Sequence, residues 1–258
     1  RERDNKLMSL HAITASIAHE LRQPLTAISA NSQAAQLFLN HTKPKLQKAL
    51  PALDSIVAES DRASQILSDL AALFTNTDKG QMPIDVNEVS LQVLGFFQEQ
   101  LNAHGVRIQI ELATDLPLIM GHKSQLQEVM INLLQNAIEA MNAIEDGRKS
   151  LQLRTERRDG TIVVEVKDSG PGISPANLNS IFDPFFTTKS HGTGLGLAIC
   201  RMIIERHGGQ LSASSDGTSG ALFPFVLPSH GAVAPKKQKH LRGIIGRWHV
   251  RYWPLANI

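Results

Sequence analysis

From Leu7 onward, apolar residues return every third or fourth position: Leu7, Leu10, Ile13, Ile17, Leu21, Leu25 and Ile28. This spacing lines one side of an α-helix, and it carries a single long helix from about residue 5 to 40. After a break at Asn40-His41-Thr42 and Pro44, a second stripe follows with Leu50, Leu53, Val57, Ala63, Leu67, Leu70 and Phe74. Pro24 should kink the first helix by removing one N–H and crowding the preceding turn, and Pro51 starts or bends the second. Two such helices form a hairpin whose apolar face is best buried by a second copy, giving a dimeric four-helix bundle. The first stripe is already running where the chain begins, so the seam is expected to continue from upstream sequence.

Past residues 75–83, which hold Gly80 and Pro83 and read as a linker, the period changes. The pattern predicts a helix over 87–104, a strand over 106–112, and a helix over 122–144 with Leu126, Val129, Met130, Leu133, Leu134, Ile138 and Met141 inward. Strands follow at 151–155 and 161–167 around Asp159-Gly160, then a helix over 195–207 and a hairpin of 211–214 with 221–227. That order describes an α+β sandwich with helices on one face of a mixed sheet. The fold class is thus two-domain: residues 1–74 a helical hairpin, 75–83 a linker, and 84–228 an α+β domain.

Residues 229–258 fit neither part. They hold Trp248, Tyr252, Trp253 and six bases without an acid, and read as a disordered or non-native extension. With those six set aside, 20 of the 26 bases remain against 24 acids, so the formal +2 belongs to the tail. The fold itself gives no reason to expect specific nucleic-acid binding. No run approaches the roughly 18 apolar residues of a membrane span. The single cysteine, Cys200, fits a reducing compartment, and the segment is read as cytoplasmic, with a membrane anchor on a longer parent left open.

Chemistry concentrates in three stretches. The first pairs Asp168-Ser169-Gly170-Pro171-Gly172 with Gly192-Thr193-Gly194-Leu195-Gly196-Leu197, around Phe182-Asp183-Pro184-Phe185-Phe186-Thr187-Thr188-Lys189. Glycines let backbone N–H groups approach phosphate oxygens, and the second cluster opens into a helix, whose N-terminus favours an anion. An acid ending an apolar strand can accept a hydrogen bond from an amino group such as that of adenine. The sequence lacks the Lys-Ser/Thr of a Walker loop and the acid spacing of a dinucleotide fold. It reads as a nucleotide pocket with a lid.

The second stretch is Gln127 to Ala137. Glu128, Asn132 and Asn136 fall at i, i+4 and i+8 and share a helical face, with hard oxygen donors suited to Mg²⁺ bridging a triphosphate. The alternative is a hydrated polar face. The third stretch is Ser16 to Leu25, where His19 lies off the apolar stripe beside Glu20, with Arg22 at i+3. A lone helical histidine is commonly a surface residue. A neutral imidazole is nonetheless a competent nucleophile toward a phosphoryl group, and a carboxylate can fix its tautomer.

Together these residues resemble the transmitter core of a bacterial sensor histidine kinase over roughly residues 5–228. The motifs occur in family order: an H-box at His19-Glu20-Leu21-Arg22-Gln23-Pro24, an N-box at Asn132 to Ala137, a first G-box at Asp168 to Gly172, an F-box at Phe182 to Phe186, and a second G-box at Gly192 to Leu197. The resemblance implies a dimerisation and phosphoacceptor bundle followed by an ATP-binding domain of the gyrase and chaperone type. It implies His19 as phosphoacceptor with Glu20 as acid–base partner and Arg22 near the phosphate. Asn136, supported by Asn132 and Glu128, would hold Mg²⁺ and phosphates, and Asp168 would bind adenine. Gly170 and Gly172 would shape the pocket, and Gly192, Thr193, Gly194, Leu195, Gly196 and Leu197 would present the phosphates. Lys189 would reach the γ-phosphate, while Phe182, Phe185 and Phe186 anchor the lid. Expected partners are a second copy, a response regulator whose aspartate receives the phosphoryl group, and an upstream sensor domain.

One position departs from the family. Many relatives carry Thr or Asn four residues after the histidine to orient water for dephosphorylating the partner, and here Gln23 stands there. Its different reach puts phosphatase activity in question. Two rival functions are a stand-alone ATPase, which would release phosphate without phosphoprotein, and a silent dimerisation scaffold, which would bind no nucleotide.

Overall fold

In the computed structural model, the backbone is described for residues 2–74, 80–144, 149–189, 192–229 and 250–253. Side chains are described within these stretches from Leu21 onward, apart from Gln65 and residues 68–74 and 250–253. The chain divides into two units, Arg1–Thr75 with Asp183–Gly196, and Asn76–Phe182 with Leu197–Ile258.

In the first unit, α1 (Glu2–Leu39) and α2 (Leu46–Phe74) pack along each other as a hairpin. The helix persists through Pro24, and the Thr26 hydroxyl donates back to the Arg22 carbonyl at 2.8 Å, a contact found where helices bend. Pro51 lies inside α2, not at its start. Lys45 N–H donates to the Phe38 carbonyl at 2.9 Å and closes the connection. Among the described residues of the hairpin, the buried ones are mostly small: Pro24, Ala35, Ala49 and Ala52, with Ile66. The larger residues face away, and Leu25, Leu37, Leu50, Leu53, Val57 and Leu67 are 42–73% exposed. A single hairpin therefore covers only part of its own stripe.

In the second unit, the long helix expected over 87–104 is split at Phe97 into α3 (Val86–Phe96) and α4 (Gln98–Ala103). Phe97 N–H reaches the Leu94 carbonyl at 3.2 Å, one residue short of the α-helical partner, which tightens the chain there. Asp85 caps α3, its Oδ1 accepting from Asn87 and Glu88 N–H at 2.9 and 3.2 Å. Two strands carry no sequence signal. β1 (Met82–Ile84) pairs antiparallel with β3 (Ile119–Gly121), so the expected linker's last two residues belong to a sheet. Three-residue strands are too short to show an alternation, and Pro83 is tolerated because a two-stranded sheet has free edges.

The larger sheet contains β2 (Arg107–Ala113), β4 (Ser150–Arg158), β5 (Thr161–Asp168), β6 (Gln210–Leu211), β7 (Leu222–Pro228) and β8 (Val250–Trp253). Their order is β6-β7-β5-β4-β2-β8. β2 is parallel to β4 and β8, and the remaining pairs are antiparallel. α5 (Lys123–Asn142) and α6 (Gly196–Arg206) supply the helical layer with α3. Every core position expected on α5 is buried, from Leu126 to Met141. Thr155 is buried without orphaned groups, because its hydroxyl donates to Asn87 Oδ1 at 2.8 Å and accepts from Ala113 N–H at 3.1 Å.

The tail departs from its expected disorder over four residues. Val250–Trp253 forms β8 beside β2, in the register Ile110↔Val250 to Ala113↔Trp253. β2 would otherwise be an edge with unpaired N–H and C=O groups, and Val, Tyr and Trp suit a strand that completes it. Residues 230–249 and 254–258, where the rest of that expectation falls, lie outside the described residues, as do 75–79 of the linker.

Candidate active site

Asp168 ends β5 in phase with the inward row Ile162, Val164 and Val166, so its carboxylate lies on the helix side of the sheet. It is 4% exposed. Its Oδ1 accepts from Gly170 N–H at 2.7 Å and from Ala221 N–H at 3.4 Å. Burial pushes this carboxyl above the ordinary carboxylate value, and the two N–H donors only partly offset it. The next residue ties the loop to β4: Ser169 Oγ accepts from Ser150 N–H at 2.9 Å.

Both glycines of this loop are dictated by contact. A Cβ on Gly170 would stand 2.7 Å from Asp168 Oδ1 and 2.9 Å from Ala140 Cβ on α5. Gly172 has φ +81°, and a Cβ there would meet Thr218 N, Gly217 C and Ser215 Oγ within 2.9 Å.

Ala140 continues the i, i+4 row of Glu128, Asn132 and Asn136 on α5, so the row that carries the oxygen donors ends against the Gly170 loop. These three residues are half-buried, while Leu133 and Leu134 fill the core behind them. One carboxylate and two amides suit a cation that arrives with phosphate oxygens and keeps its own waters, which is the habit of Mg²⁺. Among the described residues no cluster of His, Cys, Asp and Glu forms a self-contained metal cage.

The segment around the second glycine cluster holds its shape by local bonds. Phe185 adopts φ 69°, rare for a non-glycine residue, and its N–H donates to the Gly194 carbonyl at 2.9 Å. Gly194 (φ +67°) lies so close that a Cβ would stand 2.4 Å from the Phe185 carbonyl carbon. Thr193 Oγ1 accepts from Leu195 N–H at 3.3 Å just before α6 begins at Gly196. Leu195 is buried and serves as an apolar anchor, with Gly192, Gly194, Gly196 and Leu197 partly exposed around it. Lys189 is exposed, and its N–H donates to Thr187 Oγ1 at 3.0 Å. Phe182 is buried under the Arg201 guanidinium of α6, 5.3 Å from the ring centre.

His19 and Glu20 lie on α1, but their side chains are outside the described residues. Arg22 and Gln23 follow on the same helix, both exposed.

Sequence reasoning missed two groups. The turn Ser215 to Gly220 reads only as a loop signal, yet it lies directly against Gly172 and Asp168. His207 reads as the end of a helix, yet it is buried at the start of α5. Its Nδ1–H donates to the Ile203 carbonyl at 2.8 Å, and its Nε2 accepts from His122 N–H at 3.1 Å. Gly121 is required there, since a Cβ would meet the ring at 2.4 Å. Burial, with the neighbouring His122, lowers the His207 pKa below its ordinary value. The neutral ring's contribution to stability is therefore full above about pH 6.5 and is lost as pH falls through the lowered folded value. Thermal melts from pH 8 to 5 should show a decline on the acid side that is reduced in His207→Gln, which retains an acceptor and does not titrate.

Residues 9–77 match the family described as the His Kinase A phospho-acceptor domain. Residues 121–231 match the histidine kinase-, DNA gyrase B- and HSP90-like ATPase family. The fold and site thus define a phosphoacceptor helical hairpin joined to an ATPase domain of that superfamily. The chain is 34% identical over 214 residues to the sensor histidine kinase TmoS of Ectopseudomonas mendocina, covering 82% of this chain and 22% of TmoS. It is 34% identical to the sensor histidine kinase ZraS of Klebsiella oxytoca, covering 89% of this chain and 48% of that protein. Among solved structures, histidine kinase ThkA in complex with the response regulator TrrA matches 89% of this chain and 65% of that one, with 27% identity and a TM-score of 0.70. The chain belongs to the sensor histidine kinases, as a transmitter core. It spans 22–48% of the length of four curated relatives it matches. Among the described residues no helix is long and apolar enough to cross a membrane.

Proposed function

We infer that this chain uses ATP to phosphorylate its own His19 and then passes the phosphoryl group to an aspartate of a response regulator. The observation that carries the reading is the meeting of the α5 oxygen row with the Gly170 loop. It supports reading Asp168 as the acceptor for an amino group and Glu128, Asn132 and Asn136 as hard donors for a triphosphate, because Asp168 and the end of the α5 row both lie against Gly170. Both N–H donors to Asp168 fall on Oδ1, which leaves Oδ2 to accept from the adenine amino group. The motif assigns Gly192 to Leu197 and Lys189 to the phosphates, and free N–H groups ahead of a helix favour such an anion.

Mg²⁺, when bound, neutralises charge on the phosphate oxygens. The chain's own residues do the rest. A ring nitrogen of His19 attacks the γ-phosphorus in line, the bond to the β-bridging oxygen breaks, and ADP leaves. Glu20 accepts the hydrogen bond of the other ring N–H and stabilises the imidazolium, and Arg22 balances phosphate charge. Gln23 occupies the position from which Thr or Asn would orient water for dephosphorylating the partner, with a different reach. The regulator partner follows the ThkA complex and the bundle that carries His19.

The test is incubation with γ-labelled ATP and Mg²⁺. Label on the protein that is acid-labile and alkali-stable supports the kinase. Phosphate release without labelled protein indicates an ATPase, and the absence of both label and release indicates a scaffold.

Dimerisation rests on the exposed apolar face of the hairpin. Placing an acid there, as in Leu53→Asp, should halve the mass seen by sedimentation. Burying an unpaired carboxylate in an interface costs several kcal/mol. A variant that sediments like the wild type would refute the bundle.

A further inference from the structure

Ser215 gathers three backbone segments on one hydroxyl. Its Oγ accepts from Ile173 N–H at 2.9 Å and Gly217 N–H at 3.1 Å, and donates to the Gly220 carbonyl at 2.6 Å. The turn it closes is stiffened by Asp216, whose Oδ1 accepts from Thr218 and Ser219 N–H at 2.8 and 2.7 Å. On one side the turn presses Gly172. On the other it presses Asp168, because a Cβ on Gly220 would collide with the Asp168 carbonyl. Ala221, the next residue, holds Asp168 at both ends: its carbonyl accepts from Asp168 N–H at 3.0 Å and its N–H reaches Oδ1 at 3.4 Å.

The loop that bears the adenine acceptor is thus clamped between the sheet and this turn, with Ser215 as the pin. We propose that Ser215 is a positioning residue for base recognition, setting where the Asp168 carboxylate meets the 6-amino group of the purine. The inference rests on the adenine role of Asp168 proposed above. The hydroxyl bonds only backbone groups and acts through Ile173, Gly217 and Gly220, the last adjoining Ala221. Removing it frees two N–H donors and one carbonyl to seek water, so the Gly172 and Gly220 walls part.

The test is calorimetric binding of ATP and of inosine triphosphate, which carries a 6-oxo group in place of the 6-amino group. The wild type should prefer ATP. Ser215→Ala should weaken ATP about tenfold and leave inosine triphosphate nearly unchanged, so the preference collapses. Ser215→Thr, which retains the hydroxyl, should restore it. If Ser215→Ala fails to fold, Ser215→Cys, a weaker hydrogen-bonding group, must show an intermediate preference. A wild-type preference in Ser215→Ala or Ser215→Cys overturns the proposal, as does equal weakening of both nucleotides with a lowered melting temperature. A wild type that binds both nucleotides equally removes the adenine role of Asp168, and the proposal with it.

Discussion

His19→Ala should abolish phosphoprotein while leaving nucleotide binding intact. The imidazole is the only group proposed to form a bond to phosphorus, so its loss removes the covalent route and should lower labelling by at least about 10³-fold. Affinity for ATP should change less than about twofold, because Asp168 and the α5 oxygen row belong to the other unit of the chain. Glu20→Gln should fall between the two, losing about 10²- to 10³-fold in rate, the usual share of acid–base assistance. Labelling and binding measured on the same preparations separate these roles. Label that survives in His19→Ala would move the phosphoacceptor elsewhere, and lost ATP binding would mean the substitution had damaged the fold.

What the sequence made legible follows from how each feature is encoded. The stripes of α1, α2 and α5 repeat many times, so the helices could be read from period alone, and on α5 the inward face as well. Asp168 was visible because it ends an apolar run, but its side of the sheet, shared with Ile162, Val164 and Val166, is a feature of the fold. β1 and β3 were not legible, being shorter than any period. The strand at Val250–Trp253 was hidden because its partner edge is a tertiary fact with no local mark. The roles of the first pair of glycines were only half legible. Their need for φ freedom or close approach could be guessed, but what approaches Gly172 is a turn over 40 residues later in the chain. Ser215 and His207 are ordinary residue types whose importance lies wholly in their partners, so composition and spacing could not single them out.

Asp168→Asn should bind ATP poorly and yet melt higher than the wild type at neutral pH. Asn fits the space, and its Oδ1 can retain the Gly170 and Ala221 N–H donors. Its Nδ2 then replaces the second carboxylate oxygen and points donors at the donor amino group of adenine, leaving buried groups unpaired. A loss of roughly 30- to 100-fold in affinity is expected from that mismatch. Stability moves the other way because burial raises the Asp168 pKa, so the folded state binds this proton more tightly than the unfolded chain does. The ionised carboxylate therefore costs stability above its folded pKa, and the cost disappears as pH falls through that value. Melting curves without nucleotide should show the Asn variant ahead at pH 7 to 8, with the gap closing toward acid. Equal melting at all pH values, or a variant less stable at pH 7, would show that the carboxylate is not strained by burial. Retention of wild-type affinity would show that adenine is recognised elsewhere. The combination of lost binding and gained stability is the mark of a group held in an unfavourable place for its ligand, and a residue kept only for packing would not produce it.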